Sequence, residues 1–169
     1  ADIVCRVYLT VIRGTPALVQ LLIMYFIILS SPDISKTMVA VVTFGINSGA
    51  YVAEIFRSGI LSVDAGQMEA GRSLGLGYVD TMTQIIMPQA IKNCLPALVN
   101  EMIALLKETS ICGYIGLAEL TRGGDIIRGV TFDALLPLIA VAIVYLIIVM
   151  FFTWIMSLLE RRLRESDIR

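Results

Sequence analysis

The chain contains no histidine and few charges. Only 16% of its 169 residues are Asp, Glu, Lys or Arg, where soluble domains carry about 25%. Without histidine, His-based catalytic triads and most zinc sites are excluded. Three cysteines, Cys5, Cys94 and Cys112, stand far apart with no CxxC pair. They read as inert packing residues, and no metal site is expected. A net charge of −1 offers no basic surface, so a nucleic-acid partner is not expected. No Gly-x-x-x-x-Gly-Lys-[Ser/Thr] phosphate loop occurs, so the chain is not expected to bind or hydrolyse ATP itself. No cofactor is expected on it. No signal peptide precedes the first apolar run, and the chain opens on Ala1 inside an apolar region, so an upstream portion is expected.

What is abundant is apolar sequence. Hydrophobic residues make up 57%, and the mean hydropathy is +0.85. That composition predicts an all-α integral membrane protein in a lipid bilayer. A spanning helix needs about 20 mostly apolar residues. Four stretches qualify: about 8–29, interrupted by Arg13-Gly14-Thr15-Pro16; about 37–55; about 91–111, the most polar; and about 135–159, the cleanest. They form one domain, 1–169, with a loop of about 58–90 between the second and third. Arg161, Arg162, Arg164 and Arg169 follow the last span, so the C-terminus is expected in the cytoplasm. The loop then shares that side, and Trp154 fits an interfacial anchor.

A polar island, Asp64–Pro88, breaks the apolar pattern. Asp64 and Gln67 have capping-box spacing, so a short helix Ala65–Leu74 is predicted. Gly75 and Gly77 suit its end, because glycine tolerates positive φ. Val79, Met82 and Ile86 recur at helical spacing and predict a second short helix. Pro88 is expected to break the backbone before the third span. An element resting in the interface explains the apolar face. It does not explain Glu69, Arg72 and the Leu74–Gly77 turn, which suit a knob gripped by another protein.

Ionisable residues inside spans are costly and mark functional positions. Asn100, Ala104, Lys107, Glu108 and Ile111 lie on one helical stripe, with Glu101 beside it. Glu101 or Glu108 supplies an acceptor for an ammonium group. Asn100, Lys107 and Thr109 supply donors for a carboxylate. The competing reading is an internal Lys–Glu pair, or charges snorkelling to the outer interface. Arg13 and Thr15, at the interruption of the first span, are candidates for the same pathway; Arg13 also fits snorkelling. Glu54 and Arg57, at i and i+3, read either as a surface ion pair or as a brace for the island. Gly45, Gly49 and Ala53 read as helix packing or as a face at a subunit contact. The segment Gly113–Asp133, with Arg122-Gly123-Gly124-Asp125, is too long for a bare turn.

The island's residues carry a resemblance. Glu69-Ala70-Gly71, Leu74-Gly75 and Ile86-Met87-Pro88 resemble the EAA loop of ABC-importer permeases. Gly71 stands where that family usually has a second Ala, a change of about 1 kcal/mol in a helix interior that is expected to loosen the knob slightly. Arg13-Gly14-Thr15-Pro16-Ala17-Leu18-Val19-Gln20 is similar to a signature of polar-amino-acid permeases. So are Ala50–Arg57, Leu106–Ser110 and Gly116–Arg122. The resemblance implies a permease helical bundle whose first span is absent here. It implies coupling through Glu69, Ala70, Gly71, Leu74, Gly75 and Pro88 to a separate ATP-binding ABC subunit. It further implies a second permease subunit, as homodimer or heterodimer, a periplasmic or extracellular solute-binding protein that meets the outer loop, and a polar amino acid as cargo, in a bacterial inner membrane. A passive channel explains the spans and the stripe but not the knob. An intramembrane enzyme would need a Ser–Lys or carboxylate pair, and no convincing one is found.

Overall fold

The computed structural model describes the backbone of residues 2–165 and the side chains of residues 3–158. Arg169 lies outside the described residues, as do the side chains of Arg161, Arg162 and Arg164. The elements, in order, are α1 (Asp2–Gly14), α2 (Ala17–Ile23) running into a π turn (Met24–Ile28), α3 (Lys36–Leu61), α4 (Ala65–Ser73) and α5 (Tyr78–Thr81). A second π turn (Met82–Ile86) leads into α6 (Met87–Glu108) and a 3-10 segment (Thr109–Ile115). α7 (Leu120–Thr131) and α8 (Leu135–Glu165) complete the chain.

Among the described residues, two helices are long and apolar enough to cross a membrane, Lys36–Leu61 and Leu135–Leu158, with a third if a bent pair is counted as one. That pair is α1 and α2. They meet at 106°, so the expected first span is not one straight run. Pro16 has no N–H and disfavours a helical Thr15. Its extended backbone (ψ 137°) starts α2 in a new direction. α6 is long enough to cross, but charged residues interrupt it. Its crossing the bilayer belongs with the functional proposal below.

Gln20 fastens the bend. Its amide nitrogen donates to the carbonyls of Ile12 (2.7 Å) and Thr15 (3.1 Å), freed by the broken ladder, and to Thr15 Oγ1 (2.8 Å). Its oxygen accepts from Asn47 Nδ2 of α3 at 2.9 Å. Asn47 is buried, so this bond satisfies a polar group that would otherwise be costly. Replacing Gln20 with Leu keeps the volume and strands the Asn47 amide. The expected loss is about 1–3 kcal/mol of stability, read as a lower unfolding midpoint in detergent. An unchanged midpoint would show that the bend is held by packing alone.

The core has two parts. Away from α4, Leu21 of α2, Ala40 and Phe44 of α3, and Cys112 and Ile115 of the 3-10 segment form a buried cluster. Toward α4, α3 and α6 pack closely, with Cys94 Sγ donating to the Ile55 carbonyl at 3.4 Å and Asn93 Nδ2 to Ser62 Oγ at 2.8 Å. Tyr8 of α1 donates to the Ile46 carbonyl at 2.6 Å and lies against Gly49. Nothing lies within 4 Å of a Cβ built on Gly45. The small-residue stripe is therefore split between a packed and an open position.

The segment Gly113–Asp133 is largely helix. Glu119 caps α7, its carboxylate accepting from the Thr121 and Arg122 backbone N–H groups, both at 2.6 Å. Arg122-Gly123-Gly124-Asp125 thus lies inside a helix despite two adjacent glycines. Gly124 is buried where α7 crosses α8 at Val141, and that contact outweighs propensity.

Candidate functional site

The island folds into a protruding helix–turn–helix. Asp64 caps α4 by accepting from Gly66 N–H at 2.7 Å. The expected capping box does not form: Gln67 N–H bonds the Asp64 backbone carbonyl at 3.0 Å, and among the described residues the Gln67 side chain returns no bond. The α4 helix ends one residue earlier than expected, at Ser73, in a Schellman motif. Gly75 N–H bonds the Arg72 carbonyl (3.0 Å) and Leu76 N–H the Gly71 carbonyl (3.2 Å). Gly75 has φ +86°, and nothing lies within 4 Å of a Cβ built there. The turn therefore leaves its tip bare.

Beyond the tip, three expectations are corrected. The second helix is not separate: helical backbone runs without a gap from Tyr78 to Glu108. Pro88 does not break it, because the π turn Met82–Ile86 just before it absorbs the misfit of a proline that cannot donate. The π turn also shifts the buried face. Thr81, Ile86, Ala90 and Cys94 are buried, a step of five residues followed by steps of four. Val79, expected on the apolar face with Met82 and Ile86, is instead 69% exposed.

Gly71 is the seat of the knob. It is buried, and a Cβ built on it would stand 2.5 Å from Thr81 Cγ2 and 3.1 Å from Ile85 Cδ1. Thr81 is itself fully buried and fixed by its hydroxyl, which donates to the Gly77 carbonyl at 2.9 Å. The glycine therefore tightens the joint between α4 and α5 and does not loosen it. Glu69, Ala70, Leu74 and Gly75 remain exposed around the tip, joined by Tyr78 and Val79. Leu74 is 82% exposed. A rigid base carrying bare glycine and apolar side chains is a surface suited to a groove in another protein. Pro88 is exposed in the first turn of α6.

The residues suggested for a pathway fall into two groups. Arg13 and Thr15 lie at the α1–α2 bend. Arg13 Nη1 is 3.4 Å from Glu54 Oε2, and its guanidinium sits 5.5 Å from the Tyr51 ring centre. Arg57 donates to the other Glu54 oxygen at 2.6 and 3.0 Å. The Glu54–Arg57 pair therefore extends to α1. Thr15 Oγ1 donates to the Val11 carbonyl at 2.8 Å and accepts from Gln20.

The second group lies on α6 and just past it. Asn100 and Lys107 are exposed, and Glu101 and Glu108 half-buried. Among the described residues Lys107, Glu101 and Glu108 form no ion pair. Thr109 starts the 3-10 segment and donates to the Leu106 carbonyl at 2.7 Å. Arg13 shares a cavity of about 370 Å³ with Cys94. From Cys94 to Lys107 the helix rises roughly 20 Å. The two groups therefore stand at different depths along α6. Sequence reasoning missed Asn47 and Thr81. The bonded amides have a signal in the sequence: Gln20 and Asn47 each interrupt an apolar helix.

Apolar helices carrying an exposed, glycine-tipped knob define a helical membrane protein. The chain belongs to the family described as binding-protein-dependent transport system inner membrane component, which matches residues 1–165. It is 41% identical over 162 residues to the arginine transport system permease protein ArtQ of Bacillus subtilis, covering 95% of this chain and 74% of that one. It is 44% identical over 167 residues to the glutamine transport system permease protein GlnP of Escherichia coli, covering 97% and 76%. A solved structure described as an amino acid ABC transporter with histidines superposes with a TM-score of 0.88 at 48% identity. That match covers 95% of this chain and 75% of the other. The chain is thus a membrane-embedded transporter component and not an enzyme. The passive-channel reading falls.

Proposed function

We propose that this chain is the permease subunit of an ATP-driven importer of polar amino acids. Its knob faces the cytoplasm, with the C-terminus on the same side, and docks on a separate ATP-binding subunit. A second permease subunit faces it, and a solute-binding protein delivers cargo at the α7 end. The exposed knob around Gly75, seated rigidly through Gly71 on Thr81, carries this reading. Relatives named for arginine and glutamine transport support the cargo class.

In this reading α6 crosses the bilayer. ATP binding closes the ATPase pair and carries the two knobs together. Because α5, the π turn and α6 form one helical run, motion of the knob is passed directly to the polar face of α6. Moving the bundle from 1:99 to 99:1 outward-facing requires about 5.5 kcal/mol of differential binding. Within the pathway, Glu101 or Glu108 accepts from the substrate ammonium. Lys107, Asn100 and Thr109 face its carboxylate.

The test is ATP-dependent uptake in proteoliposomes with the ATPase and binding protein supplied. Lys107→Ala and Glu108→Ala should each lower uptake efficiency by about tenfold or more, the scale of one charged hydrogen bond. ATPase assembly should be retained. Unchanged uptake kinetics in both variants would remove these residues from the pathway.

A further inference from the structure

At the knob-side end of α3 lies a cavity of about 780 Å³ that the transport reading leaves unused. It is lined by Arg6, Thr10 and Arg13 of α1 and by Glu54 and Arg57 of α3, among others. Among the described residues its one acid is Glu54, so the described lining carries three arginines against one carboxylate. Glu54 is already engaged by Arg13 and Arg57. Arg6 is exposed and has no ion-pair partner among the described residues. The site therefore holds surplus positive charge and an uncommitted guanidinium, whose planar fork matches two oxygens of a phosphate.

The helix that carries this charge is shaped for a bilayer surface. α1 lies at 106° to α2, so it runs across the direction of the apolar segment that follows it. Ile3, Val4, Val7 and Val11 form an exposed apolar stripe, between 52% and 79% accessible. Arg6 and Arg13 lie on another face, seven residues apart. Tyr8, on a third face, fastens the helix to α3. Such a helix beds its apolar stripe at the acyl boundary and holds its arginines at headgroup level.

We propose that this cavity binds a phosphate oxyanion, supplied by the headgroup of an anionic phospholipid with α1 lying in the interface. Arg6 and Arg57 grip the phosphate. Arg13 and Glu54 hold the two helices at the spacing the phosphate needs. A soluble phosphate offers the same oxygens but no acyl chains for the apolar stripe.

The test uses the assembled transporter in detergent, loaded from vesicles of phosphatidylcholine alone or doped with phosphatidylglycerol. Retained lipid is counted after washing. Phosphatidylglycerol should be retained in preference, and excess inorganic phosphate should displace it only partly. Arg6→Gln should retain about fivefold less, the effect of one basic residue near an anionic surface. Arg6→Glu should retain less still. Arg6 has no ion-pair partner among the described residues, so neither change breaks a described bond of the fold. Arg128→Gln, in α7, should match the parent. Equal retention in the Arg6 variants would overturn the site. Full displacement by inorganic phosphate, with no lipid preference, would overturn the lipid source. Absence of retained phosphatidylglycerol in the parent would show that another segment fills the cavity.

Discussion

Changing Gly59 to alanine should be among the most damaging single-methyl additions in this chain. A Cβ at Gly59 would stand 2.0 Å from Cys94 Sγ and 3.0 Å from the Ala90 carbonyl oxygen. Alanine gains about 1 kcal/mol of helix propensity over glycine. Forcing extra volume into a packed contact costs about 1–3 kcal/mol. Here the clash is with the buried Cys94 sulfur, with the Ala90 carbonyl of α6 also tight, so the upper end applies and the net effect is a loss. A net loss of about 2 kcal/mol lowers the unfolding midpoint by roughly 4–8 °C for a chain of this size. Cys94→Ala removes the sulfur and leaves the Cys94 Cβ contact at 3.5 Å. The double variant should therefore recover much of the loss, with Ala90 still tight. A Gly59→Ala midpoint equal to the parent's would mean that α3 and α6 separate easily there. Uptake should fall with stability, because this contact holds the base of the knob.

Gly71→Ala should act at the knob itself. Propensity again favours alanine by about 1 kcal/mol. Against that stands the methyl of Thr81 at 2.5 Å, on a fully buried side chain with its hydroxyl committed. α4 has nine residues, and so short a helix depends on tertiary contact to persist. Displacing it from Thr81 should free the knob. ATP-dependent uptake should fall well before global stability does. Thr81→Ser removes the clashing methyl and keeps the hydroxyl, so Gly71→Ala with Thr81→Ser should restore uptake. The coupling in this cycle should reach about 1–2 kcal/mol in stability of the α4–α5 unit, read by hydrogen exchange. Additive effects would show that the two residues are not in working contact.

These two glycines show what the sequence could and could not reveal. The island was legible because charge and glycine interrupt long apolar runs, and Asp64 and Gly75 mark helix ends by local chemistry. The α4 helix and its turn follow from that. Gly71 was misjudged because its role is tertiary: propensity sees a helix weakened, and only the fold brings Thr81 against it. The π turn was illegible for a related reason. Periodicity assumes 3.6 residues per turn, so it placed Val79 with Ile86, while one wide turn moved the buried face to Thr81. The bend at Pro16 was signalled by Arg13-Gly14-Thr15-Pro16, yet its 106° angle depends on Gln20 reaching back and Asn47 reaching across. α7 was hidden by two adjacent glycines whose cost is offset by packing on α8. On α6, spacing alone grouped Lys107 and Glu108 with Asn100; Asn100 and Lys107 are exposed on that helix, while Glu108 is partly buried.

The central claim is that another protein grips the bare tip of the knob. The direct measurement is copurification of the ATP-binding subunit with Gly75→Arg, alongside Gly75→Asn. Space around Gly75 is open and its φ is +86°, so either change adds only backbone strain of about 1–2 kcal/mol or less, and the chain still folds. Asparagine tolerates that conformation and controls for the strain. Docking at the tip predicts that Gly75→Arg loses the ATPase and ATP-driven uptake while Gly75→Asn largely keeps both. Full ATPase recovery and parental uptake with arginine at position 75 would contradict it.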